Sequence, residues 1–378
     1  MRSKSGARSS VGKAMNSTTN ALTAPQNRPR FLEGIRRKYF RTPLNVVISL
    51  TALAVLGWIV WALLDWAVFK AVWTTPDGTS QVCRNIEGAC WAVIDSRWRL
   101  ILFGVYPFEE QWRSSAACVV LVLTTAISCL PMTWRPLRLS TLWVGCFVVF
   151  FVLMRGGIFG LSTVPPANWG GLTLTLFVFA AVVLFGMPMA IALALLRRSS
   201  SRVVSTSAAV FIDGVRSLPL VSILFTAALI LPFVLPNWLQ GDKLWRVLVG
   251  FACFFAAYQA EILRSGIQAL PRGQEEAAQA LGMGYLQRVT HIILPQAFRN
   301  ALPPTINQLV ITFKETSLIV IIGFFDVLAS GNAAYGNGEW SFAYVEVYVF
   351  VGLIYFAFVF SLSRYGAYLE RRMRVSHS

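Results

Sequence analysis

Seven residues form the pattern with the most chemical content in this chain. Glu276, Ala277 and Ala278 are followed by Gly282, and after nine further residues by Ile292, Leu294 and Pro295. The stretch reads EAAQALGMGYLQRVTHIILP, a polar, helix-forming island in an otherwise apolar sequence. Small side chains at 277 and 278 let a second surface approach closely. Gly282 permits a backbone turn that other residues resist. Glu276 and Arg288 supply charge at the rim. Pro295 lacks a backbone donor and is expected to end a helix before the chain re-enters a membrane span. This is the chemistry of a docking face for a soluble partner.

A second set of residues places charge where charge is costly. Lys314 and Glu315 stand inside an apolar run, where a charge costs about 2.5–3.5 kcal/mol on insertion scales. Neighbours on a helix point about 100° apart, so the two are poor partners for each other. Two readings stand. They line a translocation path, where a zwitterionic solute offers both signs, or they are fixed in intramembrane pairs with other spans. Glu261 with Arg264, and Asp213 with Arg216, are each three apart and share a helix face, as structural pairs do. The second pair precedes Pro219, which breaks the helical ladder.

Several chemistries have no residues to carry them. There is no G-x-x-x-x-G-K-[ST] phosphate loop and no H-E-x-x-H. The two histidines are His291 and His377, and no CxxC occurs, so neither a catalytic triad nor a metal site is expected. No catalytic residue is assigned. Energy for uphill transport has to come from a partner or an ion gradient.

The elements that position these residues follow from composition. Hydrophobic residues make up 56% of the 378 residues, charged residues 13%, and the mean hydropathy is +0.60. Soluble domains carry about a quarter charged residues, so this is an all-α, multi-span membrane protein. Spans need roughly 20 apolar residues. Eight are expected, near Leu44–Leu64, Ser114–Leu130, Leu139–Phe159, Leu172–Leu196, Val210–Leu231, Leu244–Ile262, Pro304–Phe324 and Tyr344–Leu362. Arg155 interrupts the third, and Asp213, Arg216 and Pro219 disturb the fifth.

Lysines and arginines on one set of edges number 23, against 8 on the alternate set. The positive-inside bias therefore places both termini in the cytoplasm. This spread over several edges explains the net charge of +16 without nucleic acid, which would call for one basic patch. Residues 1–43 read as a basic, disordered cytoplasmic tail whose Arg36, Arg37, Lys38 and Arg41 anchor the first span. Residues 44–167 form a three-span block with a long outer loop, expected to pack as an ordered cap or interfacial segment. Residues 168–370 form a five-span block, and 371–378 a second tail. Cys83 and Cys90 in the outer loop face an oxidising compartment. They are either a disulfide or two free thiols, because separation decides and spacing does not.

The spacing E-A-A-x-x-x-G-x9-I-x-L-P resembles the coupling-loop signature of permease subunits of bacterial ABC importers. The runs AAYQAEILRSGIQALPRGQEEAAQALG, NQLVITFKETSLIVIIG and FIDGVRSLPL look like the histidine, glutamine and polar amino-acid branch of that family. In that branch Glu more often stands at the position of Asp213 and Gly at that of Ser217. The resemblance covers about 170–370. With the CWAVI…RLILFGVYP loop, the chain is most similar to the M-type permease of general L-amino-acid importers.

The resemblance implies a five-span permease core preceded by a three-span extension in the bacterial inner membrane. It implies a related permease as heterodimer partner, two ATPase subunits docked at 276–295, a periplasmic substrate-binding protein, and an L-amino acid as cargo. It implies no cofactor in this chain, with ATP and Mg bound by the partner ATPase. The competing class is a self-sufficient secondary transporter or channel for amino acids. That class accounts for the spans and for Lys314 but not for the long signature, and it needs a driving-ion site for which no acidic cluster is evident.

Overall fold

The structure, a computed structural model, describes residues 39–40, 42–75, 79–336 and 338–375. The expectations for the basic tail 1–38, for Arg41 and for the last three residues lie outside the described residues. The chain divides into two compact units, one ending at Phe69 and the other beginning at Lys70.

The described part of the first unit holds helix α1 (Pro43–Leu64), prolonged by a π-turn over Asp65–Phe69. Thr42 caps it by accepting from the Asn45 N–H at 3.3 Å, and Pro43 starts it with a pre-set φ. It has no polar face and no buried residue, as expected of a helix whose surroundings are lipid.

The second unit begins with a cap. Cys83 and Cys90 are joined as a disulfide with Cα atoms 5.7 Å apart. Helix α2 (Ala92–Phe103) follows. Cys83, Cys90, Val93 and Ile101 share one buried cluster with Val327, Trp340, Val347 and Val351, nearly 250 residues later. The long loop is thus an ordered cap, and it packs on the distal half of the chain.

Helices α3 (Gln111–Ser128) and α4 (Pro136–Arg155) come next. Arg155 closes α4 and does not interrupt a span. Phe150 stacks on Phe177 at 4.6 Å, and Phe147 and Phe151 meet the same ring edge-on. These ring contacts fasten α4 to α5 (Gly171–Leu196). Arg113 is fully buried and its guanidinium is partly satisfied, with Nη2 left without a hydrogen-bond partner. Its Nε donates to the Leu153 carbonyl at 2.7 Å, its Nη1 to that of Ser162 at 3.0 Å, and Glu110 lies 3.2 Å away. At Gly171 the chain turns with φ +62°, and a Cβ there would lie 2.1 Å from the Leu102 carbonyl oxygen, so α5 begins hard against α2.

Helix α6 (Arg202–Ser217) ends before Pro219, and the chain restarts at α7 (Leu220–Phe225) with a bend of 104°. Pro219 cannot continue the ladder, so the fifth expected span is a broken one. Helix α8 (Lys243–Gln268) is the central helix, buried against α5 on one side and against α10 on another. Helix α9 (Arg272–Ala280) is short and polar. A continuous helical run then extends from Tyr285 to Ile322, with α10 (Leu294–Glu315) at its middle. Helix α11 (Val327–Tyr335) and the long α12 (Tyr344–Val375) complete the fold.

Among the described residues six helices are long and apolar enough to cross a membrane, or seven if the bent pair counts as one span. The expected eight included Ser114–Leu130. Its helix α3 is present with 18 residues, but it buries the polar Gln111, Arg113, Ser114 and Thr124 inside the protein and is not among those apolar helices.

Candidate functional site

The 276–295 loop is built from α9, a turn, and the start of the long helical run. Helix α9 ends in a Schellman motif. The Gly282 N–H donates to the Gln279 carbonyl at 2.9 Å and the Met283 N–H to that of Ala278 at 3.2 Å. Gly282 has φ +74°, which glycine adopts without strain, and open space surrounds it. Glu276 and Ala277 are exposed, whereas Ala278 is buried, so the small pair divides between an outer and an inner face.

Ile292 and Leu294 are half-buried beside Val289 and Ile293, which anchor the loop base together with Ile267 and Ala297. Pro295 does not end a helix. It stands in the first turn of α10, after a π-turn over Arg288–Ile293. The widened turn accommodates the pyrrolidine ring, and the missing N–H falls where a first turn needs none.

The spacing did not disclose the most exposed apolar residues of the loop. Leu281 is 82% exposed and Leu286 74%, with Tyr285 between them in sequence and also exposed. All three stand on a polar loop, where large exposed apolar side chains are candidates for contact with a partner.

The two predicted structural pairs are one network. Arg197, at the end of α5, grips Asp213 with both guanidinium nitrogens at 3.2 Å and reaches Glu261 at 3.0 Å. The Arg264 Nε donates to Glu261 at 2.8 Å, and Arg216 stands 3.9 Å from Asp213 while lying over the Tyr258 ring. Sequence spacing found both i,i+3 pairs and missed the Arg197 that joins them, because Arg197 lies 64 residues from Glu261. Its neighbour Arg198 pairs with Glu275 of α9 at 2.9 Å.

Lys314 and Glu315 sit at the end of α10. Among the described residues no ion pair joins either one to another span. Lys314 is exposed, and Glu315 keeps a buried Oε2 without a hydrogen-bond partner. Thr305, Gln308 and Thr312 continue a buried polar stripe down the same helix, with Gln259 of α8 donating to Thr305 at 2.8 Å. Among the described residues no three His, Cys, Asp or Glu side chains converge as metal ligands.

Residues 186–375, which contain the loop, the charged network and Lys314, match the model of the binding-protein-dependent transport system inner membrane component. The chain belongs to that family. It is 36% identical to the inner membrane amino-acid ABC transporter permease protein YhdY of Escherichia coli K12, over 94% of this chain and 96% of that one. It is 31% identical to the glutamate/glutamine/aspartate/asparagine transport system permease protein BztC of Rhodobacter capsulatus, with the same coverage of each chain. The glutamate/aspartate import permease protein GltK of Escherichia coli O6:H1 is 38% identical over 56% of this chain and 96% of its own. The two long relatives match nearly the whole of this chain, and GltK matches little more than half of it.

Proposed function

We propose that this chain is the permease subunit of an ATP-driven ABC importer that carries L-amino acids across the bacterial inner membrane, with both termini in the cytoplasm. A related permease is its partner in the membrane, two ATPase subunits with bound ATP and Mg dock on the 276–295 loop, and a substrate-binding protein delivers cargo on the other side. The names of the long relatives support the amino-acid class. The basic edges support the orientation.

The observation that carries the reading is the loop. It presents exposed Leu281, Tyr285 and Leu286 around a left-handed turn, on a segment that the rest of the described chain leaves uncovered. The same segment is the start of the helical run that ends beyond Lys314 and Glu315. From Tyr285 to Glu315 that run is about 45 Å at 1.5 Å per residue. A push at the loop therefore travels along one rod to the charged residues of the path, and the spans rock between inward-open and outward-open states.

Reconstitution with the partner permease, the ATPase and the binding protein tests this. The complex is expected to take up L-amino acids from a mixture when ATP is supplied, read by mass spectrometry of the vesicle contents. Leu281→Asp or Gly282→Val is expected to release the ATPase while the chain still inserts. Gradient-driven uptake by this chain alone, or unchanged ATPase association in both variants, would overturn the assignment.

A further inference from the structure

Two consecutive arginines at the end of α5 hold different parts of the molecule. Arg197 caps α5 and Arg198 follows it in the turn, and the two take different partners. Arg197 binds Asp213 of α6 and Glu261 of α8. Arg198 binds Glu275, in the first turn of the docking helix α9. Leu195, just before them, packs on the loop-base cluster of Ile267, Val289, Ile293 and Ala297. The Ser205 hydroxyl donates to the Arg197 carbonyl at 2.8 Å and fixes the turn that leads into α6. One helix end thus touches the broken span, the central span, the loop base and the docking helix.

The docking helix itself is lightly held. Among its described side chains, Ala278 is the buried one, and Glu275 is the one in an ion pair with another element. Its chain joins the central helix α8 through Ala269, Leu270 and Pro271 on one side and continues into the Gly282 turn on the other. A displacement of α9 therefore reaches α5 by a direct route, the Arg198–Glu275 contact, as well as by the longer route through Tyr285 and α10.

We propose that Arg198 is a positioning residue for transport: paired with Glu275, it forms a strut that carries motion of the docking helix to α5, and through Arg197 to the charged network at the ends of α6 and α8. This rests on the docking role of the loop proposed above. Both partners are partly solvated, with side-chain exposures of 30% and 41%, so the pair adds little to fold stability and its loss separates coupling from folding.

The test uses the reconstituted complex and reads amino acids taken up per ATP hydrolysed. In Arg198→Ala, ATPase association and ATP hydrolysis are expected to stay within about two-fold, as for loss of an exposed pair. Uptake per ATP is expected to fall at least about five-fold, the low end of a coupling effect. The reversed pair, Arg198→Glu with Glu275→Arg, is expected to regain most of that ratio, whereas Glu275→Arg alone is not. An unchanged ratio in Arg198→Ala overturns the strut. So does a parallel fall of uptake and hydrolysis together, or a reversed pair no better than either single variant. Absence of ATP-driven uptake in the unsubstituted complex is a different result, and it removes the docking reading on which the strut rests.

Discussion

The backbone N–H of Cys90 donates to Oε1 of Glu346 at 2.9 Å, joining residues 256 positions apart. Glu346 is only 6% exposed, so its carboxylate is held inside by this bond at the foot of α12. The disulfide-closed cap is thereby tied to the last helix of the fold. Glu346→Ala leaves a buried N–H without an acceptor, at a cost of about 1–3 kcal/mol. A drop in Tm of about 2–6 °C is expected for the detergent-solubilised protein, with a smaller drop in Glu346→Gln, which keeps an acceptor. Equal melting of all three proteins would show that the cap is not anchored through this bond.

Glu315 has a buried oxygen with no partner, and Lys314 has no ion pair among the described residues. A fixed interhelical pair would lose stability on substitution, and a path residue would lose binding. Lys314→Met and Glu315→Gln are expected to raise the KM for the transported amino acid about ten-fold or more, equivalent to about 1.4 kcal/mol. Tm is expected to shift by no more than about 2 °C. A loss of folded protein with unchanged KM would assign both residues to the scaffold.

Asp326 links the helical run ending at Ile322 to α11 and is fully buried. It caps α11 by accepting from the Ala329 N–H at 2.9 Å, and the Tyr355 hydroxyl stands 3.4 Å away. Burial outweighs these bonds and pushes its carboxyl up to about 6. Between an unfolded value near 4 and that folded value, the folded state keeps a proton that the unfolded state has lost. Stability attributable to this group is therefore greatest at low pH and declines as pH rises through about 4 to 6, by up to about 3 kcal/mol. Asp326→Asn keeps a capping side chain and removes the titration. Melting scans across that window should show a shallower pH dependence in the variant and a higher Tm above pH 6; parallel curves for the two proteins would count against this account.

Much of the loop is legible from its residues alone. Gly282 was expected to turn the chain because glycine alone tolerates that conformation freely, and φ is +74° there. Pro295 was misjudged as a helix end, since its effect depends on the π-turn before it, which no single residue encodes. The cysteine pair was a candidate on spacing and compartment, and the 5.7 Å approach of its Cα atoms decided it.

What the sequence determined by itself is local. Apolar runs long enough for lipid, the polar island with its signature spacing, the break at Pro219 and the i,i+3 pairs all follow from propensity and helical periodicity, which act over a few residues. What only the tertiary structure decided is non-local. Arg197 merges two pairs into one network, Arg198 reaches Glu275 of α9 77 residues away, and the cap shares a core with α11 and α12. The physical reason is that a contact between distant residues depends on how whole helices pack, and a guanidinium on a turn finds its carboxylate only after that packing is set.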